Sequence, residues 1–104
     1  MKTLLTVNKE TMKKERDVKK RVKEILDEIG AWWFMPVQTG YGKAGVPDFI
    51  VCLKGRFIAI ETKFGGGKLT ALQRVQAEAI NKAGGPYAVV DERTVGNLKK
   101  VLCS

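Results

Sequence analysis

The 104-residue sequence contains no histidine. That absence removes imidazole zinc sites and every Ser-His or Cys-His nucleophile arrangement. Cysteine is scarce as well: Cys52 and Cys103 are spaced too far apart for a metal knuckle, and two lone thiols fit a reducing compartment better than a disulfide staple. Long apolar runs are missing. Phe49 to Leu53 is typical of the longest, against the roughly 18 residues that span a bilayer, so no membrane segment is expected. The opening MKTLLTVNKE has only Leu4 and Leu5 before polarity returns, which excludes a signal-peptide core and points to an intracellular protein. Acidic residues are the minority charge, 11 Asp and Glu against 19 Lys and Arg, for a net charge of +8. Such an excess is the footprint of a nucleic-acid binder, and equally the solvated surface of a small soluble protein.

The length and a 44% apolar content suit a single domain over residues 1–104, with one core and no room for a large private cavity. Over residues 11–29 the apolar positions Val18, Val22, Ile25, Leu26 and Ile29 recur with helical period, Thr11 serving as N-cap and Gly30 as stop. Bulky Trp32 to Val37 predicts a strand, and the glycine-rich stretch 38–45 a loop. Phe49 to Leu53 and Phe57 to Ile60 flank Lys54-Gly55-Arg56 as a hairpin. Thr70 to Ala83 predicts a second helix with Leu72, Val75, Ala79 and Ala83 on one side. Tyr87 to Val90 follows as a strand and Thr94 to Leu102 as a terminal helix. The order is therefore α-β-β-β-α-β-α, an α/β fold with a mixed sheet flanked by helices.

If Lys54-Gly55 is a two-residue turn, Leu53 faces Arg56 and the pairing runs back to Phe49 with Ile60. Asp48 then lands opposite Glu61, and Lys63 projects from the same face as Glu61. Two carboxylates at roughly 5 Å and an effective dielectric near 20 repel by about 3 kcal/mol, more than a favourable cross-strand pair returns. Such a pair calls for a cation. Hard oxygen donors without His or Cys suit Mg²⁺ or Mn²⁺, which take one or two protein carboxylates beside waters and substrate phosphates. The chemistry expected is metal-assisted attack of water on a phosphodiester, Lys63 orienting the water or stabilising developing charge. The plainer alternative makes Asp48 a turn residue after Pro47, with Glu61 and Lys63 decorating a strand edge.

Gly45-Val46-Pro47-Asp48, then Glu61-Thr62-Lys63 thirteen residues after the aspartate, then Gln73 on the next helix, resemble the PD-(D/E)xK nuclease signature in its VRR-NUC form. The resemblance runs from about Glu15 to Val90. It implies a restriction-endonuclease-like core of order α-β-β-β-α-β, and metal ligation by Asp48, Glu61 and the Thr62 backbone carbonyl. It also implies a site acid on the first helix, which falls on Glu15, followed by Val18, Val22, Leu26 and Gly30 in the family's spacing. Glu15 equally suits a first-turn acid complementing the helix dipole. Gln73 has two roles on offer: an active-site glutamine, as the resemblance implies, or the N3 residue of a Thr70-Ala71-Leu72-Gln73 capping box. The two are expected to exclude each other unless the side chain changes partner.

Gly40-Tyr41-Gly42-Lys43-Ala44-Gly45 formally satisfies G-x-G-x-x-G, but Val46-Pro47-Asp48 follows where a helix would have to open, so no nucleotide cofactor is expected. Backbone-phosphate contact by Gln38, Thr39, Gly40, Tyr41 and Lys43 fits the loop better, joined by Lys13 and Lys20 of the first helix and by Lys68. Simple loop flexibility fits it too. Trp32, Trp33 and Phe34 read as core or dimer-interface residues. A nuclease this small does not embrace a branched duplex alone, which favours a homodimer, as the resemblance to stand-alone viral VRR-NUC proteins also implies. The expectation is a Mg²⁺- or Mn²⁺-dependent endonuclease acting on branched DNA such as Holliday junctions. The alternatives are a non-cleaving DNA-binding domain of the same fold and a restriction-type subunit that needs a partner.

Overall fold

A computed structural model of the protein describes residues 12–37 and 42–104. Its elements are α1 (Glu15–Glu28), β1 (Trp32–Phe34), β2 (Phe49–Leu53), β3 (Arg56–Thr62), α2 (Ala71–Lys82), β4 (Tyr87–Val90) and α3 (Leu98–Leu102), the last preceded by a 3-10 turn at Val95–Asn97. The four strands form one mixed sheet in the order β1-β2-β3-β4, the first three antiparallel and β4 parallel to β3. This is the α/β order expected from the sequence.

The hairpin register is set by its turn. Lys54 (φ 52°) and Gly55 (φ 78°) both take left-handed backbone, the type I′ geometry whose twist matches that of the flanking strands. Leu53 consequently pairs with Arg56 and Phe49 with Ile60. Alternation then sends Phe49, Val51, Ile58 and Ile60 to one face. There they meet Val18, Val22, Ile25 and Leu26 of α1, with Val95, Leu98 and Leu102 closing the core. Each such side chain contributes about 1.5–3 kcal/mol through burial, so α1 is fastened along its whole length. The other face carries α2 far more lightly, with Ala77 as the buried residue of that helix. Its apolar side, Leu72 and Val75, is exposed.

Several boundaries differ from expectation. α1 begins at Glu15, with Lys14 in extended backbone at the N-cap, and Thr11 lies outside the described residues. The cap is supplied by Asp17, whose Oδ2 accepts the N–H groups of Lys13 (2.8 Å) and Lys14 (3.2 Å), an acid satisfying orphan donors at a helix start. β1 stops at Phe34 rather than Val37, because the pairing with β2 ends at Ile50 and Pro36 has no N–H to offer. β3 outlasts Ile60 because β4 supplies partners as far as Thr62 with Val90. The terminal helix is split, its first turn being 3-10 across Val95, Gly96 and Asn97, poor helix formers all. Among the described residues no helix is long and apolar enough to cross a membrane.

Candidate functional site

The site forms where the open end of the hairpin meets the first turns of α1 and α2. Gly45 brings the chain in: at φ +77° it lies so close to α2 that an added Cβ would fall 2.5 Å from the carbonyl carbon and oxygen of Leu72. Only a glycine fits that approach. Buried Pro47 follows, and then Asp48, one residue short of β2. Because the ladder closes at Phe49 with Ile60, Asp48 escapes strand alternation. Its N–H donates to Glu61 Oε1 (3.2 Å), but its carboxylate does not simply oppose that of Glu61 as the extrapolated pairing predicts. Oδ2 instead accepts from the backbone N–H (3.0 Å) and the hydroxyl (2.6 Å) of Thr62, one residue further along β3. Two donors at Thr62 are a better partner for an anion than a second anion is.

Glu61 is 2% exposed. Its Oε2 accepts from Gln73 Nε2 (2.9 Å), and Lys63 Nζ lies 3.8 Å from the same oxygen. Burial, and after it the charge of Asp48, push the Glu61 carboxyl up to about 7 against the opposing pull of Lys63. Gln73 does not have to choose between the two roles foreseen for it. Its Oε1 accepts the Thr70 N–H (2.9 Å) to complete the capping box while its Nε2 holds Glu61. The two ends of one amide couple the start of α2 to β3.

Glu15 is the first residue of α1 and is engaged by Lys19, one turn on, at 2.5 Å. Lys19 Nζ also lies 3.7 Å from Asp48 Oδ2. Burial works to lower the Lys19 pKa, but the Glu15 hydrogen bond and the charges of Asp48, Glu15 and Glu61 outweigh it and hold the pKa above the usual lysine value. Lys19 thus joins Glu15 to the site. In the sequence its one mark is the i+4 spacing from Glu15. Two more participants had escaped notice. One is the Thr62 hydroxyl. The other is Tyr87, whose buried hydroxyl has no hydrogen-bond partner among the described residues and whose pKa is pushed up to about 12 by burial and then by the charges of Glu61 and Asp48. No sequence signal marked Tyr87.

The residues expected to meet phosphate are scattered. Lys13, Lys20, Lys43 and Lys68 are exposed, on the approach to α1, on α1, on the loop ahead of Asp48 and on the segment leading into α2. Gln38, Thr39, Gly40 and Tyr41 lie outside the described residues. An open cleft of about 280 Å³ lined by Gly45, Val46, Asp48, Thr70, Leu72 and Gln73 gives solvent access beside Asp48.

The donor set fits a hard divalent ion. Among the described residues no group of three or more His, Cys, Asp or Glu side chains converges as a ready metal cage. A pair of carboxylates close enough to perturb one another, with Asp48 Oδ1 not engaged by the Thr62 donors, is what Mg²⁺ or Mn²⁺ uses when water and phosphate complete the shell.

A solved VRR_NUC domain matches with a TM-score of 0.70 at 25% identity, covering 90% of this chain and 97% of its own. The chain has the VRR-NUC nuclease fold. A second solved structure, a VRR_NUC domain protein, matches with a TM-score of 0.68 at 21% identity, covering 88% of this chain and 86% of its own. No family model matches the sequence, and none of the curated proteins does. The VRR-NUC fold makes this a nuclease-type domain, and Asp48, Glu61, Lys63 and Gln73 are brought together within it by the contacts above.

Proposed function

We propose that the protein is a Mg²⁺- or Mn²⁺-dependent endodeoxyribonuclease, selective for DNA structure rather than sequence, with branched duplexes such as Holliday junctions as substrate. The observation that carries the reading is the buried Glu61 carboxyl, raised by burial and the neighbouring Asp48, with the Lys63 ammonium 3.8 Å away. Burying like charges is costly unless a cation or a reaction makes use of them. Asp48 and Glu61 would hold the ion, with the Thr62 main-chain carbonyl as a third donor. When bound, the ion supplies positive charge to the scissile phosphate and lowers the pKa of water. Thr62 keeps Asp48 aimed through its N–H and hydroxyl, Gln73 steadies Glu61, and Lys63 orients the attacking water or stabilises developing charge. Glu15 stands one turn of helix away, behind Lys19.

Exposed Lys13, Lys20, Lys43 and Lys68 would contact the DNA backbone, in keeping with the net charge of +8. A homodimer would place two such sites on one substrate, and the exposure of Trp32 (63%) and Phe34 (44%) on the edge strand supports a partner there. Light scattering after gel filtration checks the dimer. The decisive experiment incubates a labelled four-way junction and a matched linear duplex with Mg²⁺ or Mn²⁺. Cutting of the junction that is lost in EDTA and lost in Asp48→Ala is expected. Salt-dependent binding with no cutting under any divalent ion would favour a non-cleaving DNA-binding domain instead, and activity only with a co-purifying protein would favour a restriction-type subunit.

A further inference from the structure

We propose that Lys19 is a resident counter-cation of the metal-free site, lodged between Glu15 and Asp48 and displaced when a divalent ion enters. The inference rests on the metal-dependent reading above and extends it to how the site is kept stable and switched on.

Lys19 and Lys63 both lie against the acids, but they are held differently. Lys63 follows the last residue of β3, is 13% exposed and has the buried Glu61 as its ion-pair partner. Lys19 is 26% exposed and hangs from α1 on a four-carbon stem, with Glu15 as its hydrogen-bond acceptor. Its distance to Asp48 Oδ2, 3.7 Å, exceeds hydrogen-bond reach, and that oxygen already has two donors at Thr62. Lys19 therefore gives Asp48 charge without a directional bond, an interaction that breaks without leaving a donor or acceptor of Asp48 unsatisfied.

Charge balance favours the displacement. With Glu15, Asp48 and Glu61 ionised, Lys19 and Lys63 leave the cluster one charge short of neutrality, whereas a divalent ion beside both ammonium groups would make it positive. The lysine placed to yield is the more exposed one, Lys19, at 26% against 13% for Lys63.

The two roles of Lys19 have opposite signs, which is what makes them separable. Lys19→Gln and Lys19→Met are compared with wild type and with the charge-preserving Lys19→Arg. Mg²⁺ and Mn²⁺ affinity is read by calorimetry and thermal stability in EDTA by melting. The expected result is about tenfold or more tighter metal binding in Lys19→Gln and Lys19→Met, together with a lower melting temperature in EDTA. Lys19→Arg should stay near wild type in both. A residue with a merely structural role would lose stability and affinity together. Metal binding by wild type that is lost in Asp48→Ala but unchanged or weakened in Lys19→Gln and Lys19→Met overturns the proposal and leaves the metal reading standing. No uptake of either ion by wild type or by any Lys19 variant overturns both.

Discussion

The two long helices flank the same sheet and reach the same site, yet they are secured in opposite ways. α1 buries Val18, Val22, Ile25 and Leu26 against the sheet, none of them more than 1% exposed. α2 buries Ala77 and leaves Leu72 (56%) and Val75 (57%) in solvent. What fixes α2 is concentrated at its first turn: the close approach of Gly45, the Thr70 cap, and the Gln73 amide that ties the cap to Glu61. Apolar area holds one helix and a few directional contacts hold the other. A site built between them therefore has one wall that is hard to move and one that depends on individual atoms.

The contrast is broken most sharply by truncating the two apolar stripes. Leu26→Ala empties a fully buried position and is expected to cost about 2–5 kcal/mol, enough to unfold a marginal domain. Leu72→Ala and Val75→Ala, made at exposed positions, should each stay within about 0.5 kcal/mol. Urea denaturation followed by circular dichroism gives all three. A loss at Leu72 comparable with that at Leu26 would mean that the outer side of α2 is covered in solution, as a second protomer would cover it.

The next largest effect is one of pH. Glu61 has an ordinary pKa of 4.5 and is raised to about 7 in the fold, so between those values the folded protein keeps a proton that the unfolded chain has released. Its contribution to stability is complete below pH 4.5 and is lost as pH rises through about 7, by at most about 3 kcal/mol. Melting temperature in EDTA should therefore fall between pH 5.5 and 8, and Glu61→Gln should flatten that fall. Excess Mg²⁺ should restore stability at the alkaline end, because the ion favours the ionised pair.

Which parts of this were legible in the sequence follows the same division. The α1 stripe and the hairpin register were readable because period and turn chemistry dictate them: Val18, Val22, Ile25 and Leu26 share a face by spacing alone, and Lys54-Gly55 fixes every pair from Leu53–Arg56 to Phe49–Ile60. The site was readable to the extent that it hangs from that register. Asp48 lies beside Glu61 as the register predicts, but its carboxylate turns to Thr62 because it sits one residue outside the ladder, where alternation no longer binds it and hydrogen-bond donors decide. Gln73 fills both of its expected roles at once because the two ends of its amide have different partners. The reach of Lys19 to Asp48, the Thr62 hydroxyl and Tyr87 depend on how α1, β3 and β4 stack, which no local pattern encodes.

Gly45 tests whether α2 is held by a contact between backbones. A methyl group there would meet the Leu72 carbonyl at 2.5 Å and the Gln73 nitrogen at 2.8 Å, at a φ that L residues avoid. Gly45→Ala should cost about 1–3 kcal/mol. Hydrogen exchange should rise at the start of α2 while α1 stays protected. Gly42→Ala is the matched control, since an added Cβ there has nothing within 4 Å among the described residues, and it should be close to neutral.

The smallest effect separates the two ends of the Gln73 amide. Thr70→Ala removes the hydroxyl that accepts the Gln73 N–H (3.2 Å) and should cost about 1 kcal/mol, as a lost N-cap does. Gln73→Glu keeps an acceptor for the Thr70 N–H but replaces the donor to Glu61 with a second carboxylate oxygen. The capping box survives in that variant and the hold on Glu61 does not. Its cost in EDTA should consequently grow with pH as Glu61 ionises, whereas the cost of Thr70→Ala should be flat. Parallel pH profiles for the two variants would show that the amide serves the helix cap alone, and that the tie between α2 and Glu61 contributes nothing of its own.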